Sequence, residues 1–174
     1  MAAVADALGD PAAGQGHQER AERDEHRHGL LLADAPRSAH LGALVVGVGA
    51  SRGVRADEVA GLVLEVLREA GLPVGAVAEL ATVEAKAREP GVVGAAARLG
   101  LPLRSHPAEA LARVAVPHPS GAALAALGTP SVAEAAALVG GGQLLVPKRK
   151  SRPRDGHPSM ATCALVRRPV GTVA

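Results

Sequence analysis

Aromatic side chains are missing from this chain. Its 174 residues include no phenylalanine, tyrosine or tryptophan, although 48% of them are hydrophobic. The core must therefore be built from alanine, valine and leucine, which fill space only where helices and sheet pack closely. Without aromatic rings the chain lacks the base-stacking platforms that bind single-stranded nucleic acid, so nucleic acid is not an expected partner.

Cysteine and long apolar runs are also scarce. The single cysteine, Cys163, excludes an internal disulfide framework and a cysteine-based metal site. The histidines lack the two-ligand helical spacing of a zinc site, and we predict neither a metal nor a cofactor. No apolar run approaches the roughly 18–20 residues that span a bilayer, and no secretory signal is recognisable. We therefore predict a cytoplasmic protein without a membrane partner.

Positive charge is concentrated in the later part of the chain. The first forty residues carry three more acids than bases, whereas residues 41–174 carry five more bases than acids. This excess favours an anionic partner.

Residues 1–40 are rich in alanine, glycine and charged residues, a composition that predicts a disordered or poorly ordered leader. Residues 41–170 are predicted to form one α/β domain.

The hydrophobic pattern of residues 41–170 alternates between strands and helices. Leu41 to Val48 predicts a buried parallel strand, Ala56 to Ala70 an amphipathic helix and Val74 to Ala81 a second strand. Further helices are predicted at residues 91–99, 107–114 and 132–139, and a short strand at 102–105. Strands at 143–150 and 160–168 are predicted to pair antiparallel. The expected fold is therefore a mostly parallel central sheet flanked by helices, with an antiparallel C-terminal strand pair.

A glycine-rich turn follows the first strand. Gly47, Gly49 and Gly53, with Arg52 among them, would let the backbone approach an anionic ligand. The spacing is one residue longer than the usual dinucleotide fingerprint, and Glu79 lies near the end of the second predicted strand, where a ribose-binding acid would be expected. A tight turn without any ligand explains the same glycines, and both interpretations stay open.

Two more polar groups lie near predicted element ends. Thr82, Lys86 and Glu89 follow the second strand, at the sheet edge where open α/β folds bind ligands, although surface ion pairs also explain the two charges. Ser131 and Glu134 have the spacing of a helix capping box, which is a purely structural explanation.

The basic run that begins at Lys148 also has two explanations. It forms either a solvated loop or a site for carboxylates or phosphates.

The order of these motifs resembles the CobE and CbiG C-terminal family over about residues 44–168. The chain departs from the family pattern at Ala50 and Ser51, where the family often has a cysteine and a basic residue. The shared motifs are Val46 to Gly49, Arg52-Gly53, Asp57-Glu58, Ala81-Thr82, Lys86, Glu89, Leu99 to Leu103, Ser131 to Leu138, Leu144 to Lys148 and Ala161 to Arg167.

The resemblance implies a role in cobalamin (vitamin B12) biosynthesis, with a precorrin or cobalt-precorrin intermediate as the partner. The carboxylates of such a corrin-ring precursor suit cationic side chains and backbone N–H groups. The expected substrate-binding residues are Gly47, Gly49, Arg52, Gly53, Thr82, Ser131 and Lys148.

Two alternatives remain. The family also implies a hydrolase that opens the lactone of cobalt-precorrin-5A, with Glu89 or Glu134 as acid–base and Lys86 polarising the carbonyl. The glycine loop alone would suit a small NAD(P)-binding domain. Other cobalamin-pathway enzymes are further candidate partners, and the alanine-rich helices are compatible with a homodimer.

Overall fold

The computed structural model describes residues 43–169, so the predicted leader at residues 1–40 lies outside the described residues. Two short 3₁₀ turns, Val74–Ala76 and Glu84–Lys86, flank the second strand. The strands are β1 (Leu44–Ala50), β2 (Val77–Val83), β3 (Leu103–His106), β4 (Gln143–Lys150) and β5 (Ala161–Arg167). The α-helices are α1 (Ala56–Glu69), α2 (Pro90–Leu99), α3 (Ala108–Ala112), α4 (Gly121–Leu127) and α5 (Val132–Leu138).

The five strands form one sheet in the order β3-β2-β1-β5-β4. β1, β2 and β3 are parallel neighbours, whereas β5 is antiparallel to both β1 and β4. The predicted α/β fold and the antiparallel pair of β4 and β5 are thus confirmed. Because β5 is antiparallel to both of its neighbours, β4 points the same way as β1. The strands β1, β2, β3 and β4 therefore share one direction.

Helices cover both faces of the sheet. α1 and α2 pack on the core cluster that contains Val46, Val48 and Leu165, whereas α3 and α5 pack on the cluster around Val45 and Val166. Close packing is essential here because the side chains are small. At Gly47 a Cβ atom would overlap the backbone of α5, so α5 rests directly on β1 at this glycine.

Two differences from the sequence prediction have a clear physical reason. β2 begins at Val77 and not at Val74, because the chain after Pro73 first makes a 3₁₀ turn. Helix α4 was not predicted, because its sequence, Gly-Ala-Ala-Leu-Ala-Ala-Leu, has no polar positions that would reveal an amphipathic period.

Within residues 43–169 no single helix is long and apolar enough to cross a membrane. Taken together, α4 and α5 have a suitable length and composition, but they are bent by 78° at their junction. Residues 132–137 of α5 are also buried in the core of the domain.

Candidate binding cleft

A cleft of about 480 Å³ opens at the edge of the sheet where β1 ends. The start of β5 and the end of β4 meet β1 at this edge, because Ala50 pairs with Ala161 and Lys150 pairs with Thr162. Helix α4 and the first residues of α5 complete the lining. The lining residues are Gly49, Ala50, Ser51, Arg52, Lys86, Ser120, Ala122, Ala123, Ala126, Leu127, Ser131, Val132, Lys148, Lys150, Ser159, Met160, Ala161 and Thr162.

The charge of the cleft is entirely positive. Four cationic side chains line it, and no acidic side chain of the described residues does. None of the four forms an ion pair with an acid of residues 43–169. Uncompensated charge of one sign in a concave site concentrates ions of the opposite sign. The four cations are Arg52, Lys86, Lys148 and Lys150.

Ser131 is among the residues that line this cleft, but its hydroxyl group is buried beneath the surface. The residue is only 1% exposed, and its Oγ has no hydrogen-bond partner among the described protein atoms. Ser131 occupies the N-cap position of α5 but makes no side-chain capping hydrogen bond, so the capping-box interpretation was wrong. A buried hydroxyl without a partner is costly, and a ligand oxygen would satisfy it once a small movement of the cleft wall exposes it.

Glu134 is fully buried and joins three segments of the chain. Its carboxylate accepts hydrogen bonds from the backbone N–H groups of His118 (3.0 Å) and Lys148 (2.9 Å), and its Oε1 lies 2.8 Å from Nδ1 of His118. Lys148 Nζ in turn donates to the carbonyl oxygen of His118 at 2.8 Å. Glu134 therefore positions Lys148 at the cleft but does not line the cleft itself.

Glu89 and Thr82, two further predicted residues, form hydrogen bonds with the glycine turn and with β1. Gly53 has a left-handed φ of 78°, and its N–H donates to Oε1 of Glu89 at 2.7 Å. Thr82 is buried, and its hydroxyl donates to the carbonyl oxygen of Val48 at 2.8 Å, which joins β2 to β1. Gly53, Thr82 and Glu89 do not line the cleft, and Gly47 lies beneath α5. Five of the predicted site residues do line it: Gly49, Arg52, Lys86, Ser131 and Lys148.

The model of the family described as cobalamin synthesis G C-terminus matches residues 44–166. The chain belongs to this family. Protein CobE of Sinorhizobium sp is 36% identical over 102 residues, which are 58% of this chain and 66% of that protein. The match thus spans slightly less than two thirds of this relative.

Solved structures of similar proteins agree with the family assignment. CobE, described as a protein from the cobalamin (vitamin B12) biosynthetic pathway, superposes with a TM-score of 0.63 at 31% identity, covering 72% of this chain and 93% of that one. Cobalamin biosynthesis protein chiG from Agrobacterium tumefaciens str. C58 gives a TM-score of 0.53 at 29% identity, covering 72% and 98%. The predicted resemblance is therefore confirmed, and this CobE/CbiG-like chain is a cobalamin biosynthesis protein.

Glu79 lies at the far end of β2 from the glycine turn of this CobE/CbiG-like domain. It is the third residue of β2 and lies beside Val45, near the start of β1. Its carboxylate pairs with Arg104 at 2.8 Å and with Arg168 at 2.9 Å. The prediction that Glu79 occupies the position of a ribose-binding acid was wrong, because the residue lies near the start of the strand and not near its end.

Sequence reasoning missed Glu58, which orders the rim of the cleft. Its Oε1 accepts hydrogen bonds from the Ser151 hydroxyl and from the backbone N–H of Met160 (2.8 Å). These contacts hold the β4–β5 connection, which supplies Ser159 and Met160 to the lining. An acid in the first turn of a helix interacts favourably with the helix dipole, and this alone explains Glu58 in the sequence. Its hydrogen bonds to the β4–β5 connection therefore had no sequence signal of their own.

Proposed function

We propose that the chain binds a precorrin or cobalt-precorrin intermediate in this cleft through the carboxylates of the ligand. The observation that carries the proposal is the set of four cations, unpaired within the described residues, that line one cleft without any acid among them. Lysine and arginine form strong charge-assisted hydrogen bonds with carboxylates. The family gives the pathway in which such a ligand occurs.

The lining supports binding more than catalysis. A hydrolase needs an acid or a base within hydrogen-bond reach of the reacting bond. Glu134 is fully buried, and its carboxylate is already hydrogen-bonded to His118 and Lys148. The carboxylate of Glu89 accepts a hydrogen bond from the N–H of Gly53. Lys86 remains the one predicted catalytic residue that lines the cleft.

The hydrolase alternative has a direct test. Purified protein is incubated with cobalt-precorrin-5A, and the release of acetaldehyde is measured. We expect binding without turnover. Sustained turnover that is lost in Lys86→Ala would replace the binding proposal with the hydrolase.

The NAD(P)-binding alternative has less support than the corrinoid proposal. Its acid, Glu79, is paired with two arginines at the other end of the strands. None of the described residues that line the cleft carries a carboxylate that could bind a ribose. We expect no saturable binding of NAD or NADP. A saturable response to either nucleotide, with none to a corrinoid, would reverse this order.

Absorbance titration of cobyrinic acid, a cobalt corrin with free side-chain carboxylates, tests the proposal. The chain has no tryptophan or tyrosine, so the bands of the ligand report binding without interference from the protein. We expect a saturable shift in the wild type and about tenfold weaker binding in Arg52→Ala and in Lys148→Ala, since a charge-assisted hydrogen bond contributes roughly 1.5–3 kcal/mol.

Arg149→Ala is the matched control on the same strand. Arg149 lies between two lysines of the cleft but does not line it, and its ion pair with Glu69 is half exposed at 3.5 Å. Such pairs contribute little to stability. Equal losses in Arg149→Ala and Lys148→Ala would show that general positive charge, and not the cleft, attracts the ligand.

The remaining expectations stay predictions. They are the cytoplasmic location, the absence of a cofactor and of nucleic-acid and membrane partners, association with other cobalamin-pathway enzymes, and a homodimer.

A further inference from the structure

Helix α4 has an unusual surface for a helix at the edge of a domain. Gly121–Leu127 carries no polar side chain and buries no residue completely, and Leu124 is 57% exposed. A surface helix normally directs polar side chains to solvent. Seven residues are also too few for an independently stable helix. Leu127 packs against the core cluster around Val45 and Val166, but the core does not explain the other apolar side chains of α4.

The ends of α4 are held in place by backbone hydrogen bonds. The N–H of Ser120 donates to the carbonyl oxygen of Pro130 at 2.6 Å, which closes the base of the segment. At the other end Gly128 has a φ of 67°, and its N–H donates to the carbonyl oxygen of Leu124 at 3.0 Å. The fold thus holds an apolar helix at the cleft without burying it.

One face of α4 lines the cleft. Ala122, Ala123, Ala126 and Leu127 all belong to the lining, and positions spaced by four residues share one side of a helix. The same cleft contains four cations. A small hydrophilic polyanion would satisfy the cations but would leave this apolar face in water. A ligand with a broad apolar surface and peripheral carboxylates complements both features.

We propose that this face of α4 is an apolar wall that packs against the ring of the bound ligand while the cations hold its carboxylates. The cleft would then select large amphipathic polycarboxylates and discriminate against small hydrophilic ones. This inference rests on the proposed function and adds the element that recognises the ring. Contact between apolar surfaces would supply affinity in proportion to the area removed from water.

Two variants of the same helix test the wall. Ala126→Gln places an amide on the cleft face, whereas Ala125→Gln places the same amide at a neighbouring exposed position that does not line the cleft. Glutamine is a good helix former, so neither change breaks the helix. Thermal unfolding of both variants checks that they fold alike, and each is titrated with cobyrinic acid and with citrate.

The wall predicts about tenfold weaker binding of cobyrinic acid in Ala126→Gln, because the new amide would lie unpaired against the ring. Ala125→Gln should bind within twofold of the wild type, and citrate should bind weakly and equally to all three proteins. Equal affinity of both variants for cobyrinic acid would overturn the wall while leaving the corrinoid site intact. Absence of corrinoid binding by the wild type would instead overturn the proposed function, and the wall with it.

Discussion

Replacing Ser131 by alanine should strengthen the fold and weaken ligand binding at the same time. The Oγ of Ser131 is buried without a partner among the described protein atoms, and such a group costs roughly 1–3 kcal/mol. Its removal recovers part of this cost and leaves only a small void. We expect Ser131→Ala to raise the free energy of unfolding by about 1 kcal/mol, which corresponds to roughly 3 °C in Tm.

The effect on the ligand should have the opposite sign. A hydroxyl that donates to a carboxylate contributes about 1.5–3 kcal/mol, so its loss should weaken corrinoid binding about tenfold or more. Thermal unfolding without ligand and absorbance titration with cobyrinic acid measure the two quantities on the same preparation. Removal of a hydroxyl that does not contact the ligand would leave the affinity unchanged and could not produce this opposition.

Thr129→Val provides the matched control. Thr129 is also fully buried, and its Oγ1 also lacks a partner among the described atoms, but it does not line the cleft. It should gain stability without losing affinity. A fall in the Tm of Ser131→Ala, or an unchanged affinity, would show that this hydroxyl does not have the proposed role.

Other predictions concern packing, polar contacts and the thiol. Gly47→Ala should lower the free energy of unfolding by about 3 kcal/mol or more, because the new Cβ would overlap the carbonyl oxygen of Ala133. Gly61 faces open space, so Gly61→Ala should raise the free energy of unfolding by about 0.5–1 kcal/mol. Chemical denaturation of the two variants measures both changes. Glu134→Ala should cost about 3 kcal/mol through its lost hydrogen bonds, and an unchanged Tm would refute this role. Burial raises the pKa of Cys163 to about 12, so a thiol reagent at pH 9 should react only with unfolded protein. Stability should also decline above pH 9, where the unfolded thiol ionises and the folded one does not; rapid labelling of folded protein would contradict this.

The sequence predicted the order of strands and helices because most elements show their own periodicity. The parallel β1 and β2 with α1 between them follow from local patterns and the handedness of such units. The insertion of β5 beside β1 depends on pairing between residues more than a hundred positions apart, as in Gly49 with Thr162. No local pattern encodes that register.

Some of the predicted site residues lie together in the structure, although their role stays a prediction. Ligand binding at the carboxyl ends of parallel strands is a general rule, and Arg52 and Lys86, which were chosen by this rule, do line one cleft. Glu134 illustrates what spacing cannot show. Its distance from Ser131 suggested a local capping box, but its actual donors are His118 and Lys148, which only tertiary folding brings near.

Two glycines of β1 also show which roles the sequence alone does not reveal. Gly47 and Gly49 look equivalent in sequence, yet the first makes room for α5 and the second lines the cleft. Only the position of the covering helix distinguishes them.

The proposed function depends on recognition of the carboxylates of a corrin-ring precursor by the cleft. Parallel absorbance titrations with cobyrinic acid and with cobinamide, whose side chains are amidated, test it most directly, because the two share the macrocycle and differ in these charges. We expect saturable binding of cobyrinic acid that weakens with added salt, and at least tenfold weaker binding of cobinamide. Equal binding of the two, or a flat titration with both, would contradict it.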